Sequence, residues 1–245
     1  MASARTGTTV TVTTEACSGA STADYWRPRN GRPAQRTWVR KDQDLILLTI
    51  GGNDIGFGKV KDSCLLEGGQ EQRCAESLSS ARKMLDGGTI QTRIEKILAD
   101  IKKSAAPSAK IVLLGYPFVE GDPSLTFGPL PLGKFLAALG HRTDAVGRAA
   151  VAHVNAVDAG RSVIFVSTQD LFSGRSPWLT SKERVRHELF KRKVNTARWM
   201  IQPFVDAGAQ DENLFYHPNP TGWTREAMLL MQTKTIPTRS HRTGE

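Results

Sequence analysis

Three short apolar runs constrain this chain more than anything else in it: "DLILLTI" at 44–50, "AKIVLLGYP" at 109–117 and "SVIFVST" at 162–168. Each has strand length, and each is nearly continuous in apolar residues rather than alternating. That pattern is expected of a strand covered on both faces. The segments between them carry helical spacing. Residues 77–104 read as helical, with Ile90, Ile94, Ile97, Leu98 and Ile101 on one stripe and Pro107 closing the segment. A second amphipathic helix is expected from about Leu136 to Val157, and a last one from about Thr224. Strands separated by helices of this length cannot pair as hairpins, so the expectation is an α/β architecture with a mostly parallel sheet. The stretch "TVTVTTE", within residues 8–15, alternates β-branched and polar residues and reads as a further strand.

The chain has 245 residues, enough for one large domain, and its 39% hydrophobic content supports a sizeable core. The expected domain spans residues 1–232, followed by a polar basic tail at 233–245. No apolar run approaches the roughly 18 residues that a membrane-spanning helix needs, so no integral membrane segment is expected. The net charge of +9 would attract polyanions if it were gathered on one face. Much of it instead lies along Lys182 to Arg198, where Val185, Leu189, Val194, Ala197, Ile201 and Phe204 recur at roughly helical spacing. A solvated face of an amphipathic helix accounts for it, and no nucleic-acid partner is expected.

In a parallel α/β sheet the reacting groups gather in loops at the carboxyl ends of the strands. Three such loops carry unusual residues. "ACSGAST" follows the first strand, "LTIGGNDIGF" (Leu48–Phe57) the second, and "HPNPTG" begins at His217. Glycines directly after a strand admit a close neighbour, and Asn53 then has two side-chain N–H donors to offer a cleft. A fixed donor there can stabilise a developing oxyanion, and Gly19 can add a backbone N–H to the same place. Pro218 restricts His217 to extended conformations, which makes His217 a candidate general base. Each feature alone has a structural alternative: a tight turn with an Asx cap for Gly-Gly-Asn-Asp, a structural histidine before proline. A nucleotide-phosphate loop is disfavoured, because "GGNDIGFG" does not match G-x-G-x-x-G and no Lys-Ser/Thr follows.

Taken together, "ACSGAST", "LTIGGNDIGF" and "HPNPTG" resemble, in order and rough spacing, the blocks of the SGNH hydrolases, also called GDSL esterases and lipases. The resemblance covers roughly residues 10–232, including "IVLLGYP" and "SVIFVSTQDLFSG", and is nearest to the secreted actinobacterial branch. It implies a three-layer α/β/α flavodoxin-like fold, an ester or lipid substrate, no cofactor and an extracellular location. It also implies roles: Gly19 and Asn53 as oxyanion donors, His217 as the base that activates a serine, and Asp54 as a brace of the loop rather than a reactant.

Two departures accompany the resemblance. The family often carries an acid three residues before the histidine, where this chain has Leu214. A Ser-His dyad oriented by the Leu214 carbonyl is expected, with Glu212 and Asp211 as the alternatives. The family's Gly-Asp-Ser block should precede residue 8, and no such triplet occurs in the 245 residues. "EGDPSL" at 120–125 comes too late in the order and after the wrong strand. Neither Ser18 nor Ser21 stands where the family's nucleophile does. The expectation is a chain truncated before its first strand, with the strands beside the gap left with open edges.

The cysteines bear on the same point. Cys64 and Cys74 suit a local loop disulfide, with free buried thiols as the alternative, and Cys17 has no partner. By resemblance, the partner of Cys17 would lie upstream, as would the signal peptide that "MASARTGTTV" does not provide. The functional expectation is a carboxylic ester hydrolase whose serine lies outside these residues. The rival reading is a pseudo-hydrolase that binds an acyl or glycan ligand. The loop at 118–133, with Phe118, Leu125, Phe127 and Leu130, is a candidate acyl-pocket wall or a loop packed on itself. Acyl length and oligomeric state have no sequence signature here.

Overall fold

The computed structural model describes residues 10–65, 70–117, 126–160, 162–173, 175, 200 and 217–233. The three apolar runs form a parallel sheet of strands β1 (Leu45–Leu48), β2 (Lys110–Leu114) and β3 (Val163–Val166) in the order β1-β2-β3. The register sets Leu45 against Lys110 and Ile111 against Val163. Because side chains alternate across a strand, the middle strand feeds two cores. Ile111 and Leu113 join one and Val112 the other, and all three are buried.

The larger core lies on the side of three helices, α3 (Glu71–Asp86), α4 (Thr89–Ser104) and α5 (Leu132–Val157). The isoleucine and leucine stripe of α4 is buried throughout, and each such side chain contributes roughly 1.5–3 kcal/mol relative to exposure. The second face is covered by the last helix described, Pro220–Gln232, whose Leu230 packs with Val112 and Val166. The result is the three-layer α/β/α flavodoxin-like arrangement. Short elements complete it: α1 (Thr22–Trp26), a 3-10 turn at Gln35–Trp38, α2 (Phe57–Val60) running into a π turn at Lys61–Leu65, and α6 (Gln169–Phe172). In that order the Pro220–Gln232 helix is α7.

Two sequence expectations are corrected. The single helix at 77–104 is two helices, because Gly88 takes the left-handed region at φ 70 and caps the start of α4. A side chain rarely adopts that conformation, so the two glycines at 87 and 88 turn the chain between α3 and α4. The segment "TVTVTTE" forms no strand over its described residues, and Val10 and Val12 are 51% and 80% exposed. Alternation alone does not hold a strand that has no ladder partner.

The complementary feature is at β1. Among the described residues its outer edge has no pairing partner. Ile46 and Leu48 point toward the larger core and Leu45 toward the smaller one, whereas Leu47 is 48% exposed. A run of four apolar residues that reads as an interior strand thus stands at the edge of the sheet. The basic segment 182–198, the residues 211–214 around the candidate histidine orienter, and the tail beyond Thr233 lie outside the described residues. Among the described residues no helix is long and apolar enough to cross a membrane.

Candidate active site

At the carboxyl end of β1 the chain does not continue straight. Gly51 has φ 107, a conformation that favours glycine, and residues 51–57 wind through turns into α2, with the N–H of Ile55 donating to the Gly51 carbonyl. Gly52 is pressed against Tyr116, the residue two beyond β2. A Cβ at Gly52 would lie 2.7 Å from the Tyr116 ring, and the Gly52 N–H donates to the Tyr116 hydroxyl at 2.9 Å. Burial pushes the Tyr116 phenol up to about 12, with the Asp54 charge adding to it, so the acceptor is a neutral hydroxyl. A tyrosine from one strand end therefore fixes the glycine of the next.

The loop before α1 meets this one directly. Gly19 sits in the left-handed region at φ 73 within a turn in which the Ala20 N–H donates to the Cys17 carbonyl. The Asn53 side chain crosses to that turn, its Nδ2 donating to the Ala20 carbonyl at 2.7 Å. The structure therefore brings the Gly19 and Asn53 loops together. Asn53 is exposed and has a second N–H on the same nitrogen.

Asp54 points the other way. Its side chain is only 2% exposed and accepts the backbone N–H of Thr22 at 2.8 Å and the Thr22 hydroxyl at 2.5 Å, while Arg93 of α4 pairs with it at 3.0 Å. This is the brace expected from the sequence, now with its partners. Thr22 follows Ser21, whose N–H and hydroxyl both donate to Asp24. Burial works against the Asp24 charge, but those bonds and Arg29 hold its carboxyl below the usual carboxylate range. Arg29 also lies behind Gly19, with Nη2 3.0 Å from where a Cβ would stand.

His217 is exposed and stands at the entrance of α7. Two features set the backbone around it. Pro218 forms an antiparallel bridge with Met200, and Asn219 caps α7, its Oδ1 accepting the Gly222 N–H at 3.0 Å with Pro220 at the first helical position. The histidine is thus carried on a stiff step between a bridge and a cap.

Thr22, Arg93 and Tyr116 are site-building residues that the sequence reading did not name. A cleft of about 580 Å³ opens beside the Asn53 loop, between α2 with its π turn and α3. The sulfurs of Cys64 and Cys74 lie 2.12 Å apart, at bonding distance, and staple the π turn to α3 as the spacing predicted. Among the described residues no group of three or more His, Cys, Asp or Glu could hold a metal ion.

A three-layer α/β/α protein with a glycine turn and an asparagine joined at the carboxyl end of a parallel sheet defines a class. The chain belongs to the GDSL-like lipase/acylhydrolase family, whose model matches residues 1–224. It is 33% identical over 189 residues to a lipase of Streptomyces rimosus, covering 74% of this chain and 63% of that protein. It is 28% identical over 168 residues to lipase 1 of Streptomyces coelicolor, covering 68% and 58% respectively. The chain thus spans less than two thirds of either curated relative. The crystal structure of the extracellular lipase of S. rimosus superposes with a TM-score of 0.60 at 26% identity, over 89% of this chain and 77% of that one. Phospholipase A1 of Streptomyces albidoflavus shares the fold, with a TM-score of 0.65 at 21% identity over 90% and 78% of the two chains.

Proposed function

We propose that this chain belongs to a carboxylic ester hydrolase acting by acyl transfer, with Gly19 and Asn53 as oxyanion donors and His217 as base. The observation that carries the reading is the bond from Asn53 Nδ2 to the Ala20 carbonyl. It holds one N–H of the amide against the Gly19 turn and leaves the other for a substrate oxygen beside the Gly19 N–H. The nucleophile is a serine to which no Gly-Asp-Ser triplet of these residues corresponds. Its hydroxyl attacks the ester carbonyl while His217 takes the proton; the oxyanion is held by Gly19, Asn53 and the serine's own N–H. His217 then protonates the leaving alcohol, and water resolves the acyl-enzyme by the same route in reverse. The Leu214 carbonyl orients the imidazole, with Glu212 or Asp211 as the alternative. The relatives named as lipases support an ester or lipid substrate and an extracellular setting.

The experiment joins the chain to an upstream strand ending in Gly-Asp-Ser and measures hydrolysis of p-nitrophenyl butyrate. His217→Ala should nearly abolish turnover, and Asn53→Ala should lower it about 10²- to 10³-fold. The 245-residue chain alone should be about 10⁶-fold less active. Full activity in the chain alone, lost in Ser18→Ala, would overturn the assignment. The absence of the triplet also favours a second reading, a non-catalytic protein that binds an acyl or glycan ligand. Joined protein that binds such a ligand but never hydrolyses an ester would establish it.

A further inference from the structure

Trp26 closes α1 with its side chain 38% exposed, yet its ring is held from two sides. The Arg36 guanidinium lies over the ring, 5.1 Å from the centroid, and the Tyr25 ring meets it edge-on at 4.9 Å. Asp100 of α4 fixes both holders. One of its oxygens accepts the Tyr25 hydroxyl at 2.7 Å and the other accepts Arg36 Nη2 at 2.9 Å. Burial, and then the bond to Asp100, raise the Tyr25 phenol above its ordinary range, so it stays a neutral donor. Ordering an exposed side chain is a cost that binding normally has to meet, and here it is met before any ligand arrives.

The charge around this indole is of one sign. Lys96 and Lys103 are exposed on α4 one turn to either side of Asp100, and Arg27 follows Trp26 directly. From Tyr25 to Lys41 the chain carries six basic residues and no acidic one. Two of the six, Arg29 and Arg32, share a crevice with Asp24 and Glu15 and are set aside. A flat ring with an indole N–H, flanked by cations, complements a sugar ring whose neighbours carry carboxylates. One stacking ring does not suit a nucleic-acid strand, which is tracked by successive aromatic platforms. The exposed Ala23, Pro28 and Thr37 beside it give no apolar face to enter a bilayer.

We propose that Trp26, Arg36, Lys96 and Lys103 form a docking surface for an acidic polysaccharide, with one sugar ring stacked on Trp26 and the carboxylates of its neighbours paired with the lysines. The surface is built from α1, the 3-10 turn and α4, and it shares no residue with the cleft beside Asn53. It rests on neither reading of that site. Asp100 stands seven residues, about 10 Å of helix, from Arg93, which braces the Asn53 loop through Asp54. A docked polymer is long enough to reach from one to the other, and a small ester is not.

The test titrates a fluorescein-labelled oligogalacturonate with the 245-residue chain and follows its anisotropy. Unlabelled polygalacturonate, dextran, poly(dT) and phosphatidylglycerol vesicles serve as competitors. The expected result is saturable binding that salt weakens, that polygalacturonate displaces and that neutral dextran does not. Trp26→Ala and Lys96→Ala/Lys103→Ala should each weaken it at least about fivefold. The charge-matched Lys83→Ala/Lys134→Ala, on exposed sites of α3 and α5, should leave it unchanged. Asp100→Ala separates a built platform from mere attraction. It removes a negative charge, which alone would tighten the hold on a polyanion, but it releases Tyr25 and Arg36, and binding should fall at least about threefold. Unshifted thermal transitions show which variants are folded, and the two lysine pairs, which replace only exposed side chains, decide the matter if Trp26→Ala or Asp100→Ala is not. No binding, displacement by dextran, equal loss in the two lysine pairs, undiminished binding in folded Trp26→Ala, or tighter binding in Asp100→Ala overturns the proposal. Poly(dT) or vesicles displacing the probe at a lower concentration of charge than polygalacturonate overturn it in favour of a nucleic-acid or a membrane surface.

Discussion

Asp54 receives both the backbone N–H and the hydroxyl of Thr22, residues 32 apart in sequence, and Arg93 closes the third side. The carboxylate that follows Asn53 therefore locks the two glycine-bearing loops to one another and to α4. Asp54→Ala leaves a buried N–H and a guanidinium without their acceptor. The expected loss is about 1–3 kcal/mol, read from urea unfolding midpoints, and a Thr22→Val/Asp54→Asn double-mutant cycle should show clear non-additivity. Additive effects would mean that the two loops are held by something else.

Gly52 and Tyr116 make a steric prediction. Any Cβ at residue 52 meets the Tyr116 ring at 2.7 Å, so Gly52→Ala should destabilise by about 1–3 kcal/mol, the range for overpacking. Adding Tyr116→Ala should recover part of that loss by opening the space, whereas Tyr116→Phe should not. Differential scanning calorimetry of the three proteins separates the cases.

The Cys64–Cys74 staple closes a loop with a sequence separation of 10. Peptide mapping without reduction should recover the linked pair from material matured under oxidising conditions. Cys74→Ser should lower stability by about 2–3 kcal/mol on the chain-entropy account. Two free thiols in oxidised protein would count against the bond.

Glu226 sets a pH dependence. It is buried on α7, its Oε2 has no hydrogen-bond partner among the described residues, and burial pushes its carboxyl up to about 7 from an ordinary 4.5. A carboxyl whose folded value is raised keeps its proton in the native state while the unfolded chain has released it. The contribution is therefore neutral below pH 4.5, becomes increasingly destabilising as pH rises toward 7, and is constant above, at about 3 kcal/mol. Glu226→Gln should match the parent at low pH and exceed it at pH 8 by up to that amount. Urea midpoints at the two pH values decide it, and a parent that gains stability across this window would show the carboxylate to be paired.

The strands and the α4 stripe were legible because they are local signals: an apolar run buried on two faces, or isoleucines every three or four residues, needs no distant partner to be recognised. Gly19 and Asn53 were legible as motif positions, and the structure joins their loops. Tyr116 was not, since its bond to Gly52 spans 64 residues and nothing in "LLGYP" announces where the hydroxyl goes. The same reasoning explains the failure at "TVTVTTE". Its alternation is a statement about faces, and Val10 and Val12 stay exposed without a neighbouring ladder. Gly87 and Gly88 were visible all along, but the helical periodicity on both sides concealed that the phase restarts between them.

The register of the sheet has a kinetic consequence. Leu45 pairs with Lys110 and Ile111 with Val163, so no strand can find its neighbour until a long intervening stretch has been gathered in. Closing such loops costs entropy before any ladder bond is formed, and chains dominated by distant pairings fold slowly. The helices that span these stretches, α3 and α4 before β2 and α5 before β3, shorten the search by compacting the chain beforehand. The outer edge of β1, unpaired among the described residues, presents open backbone donors and acceptors throughout that search, and it is there that a chaperone or a neighbouring chain would first take hold.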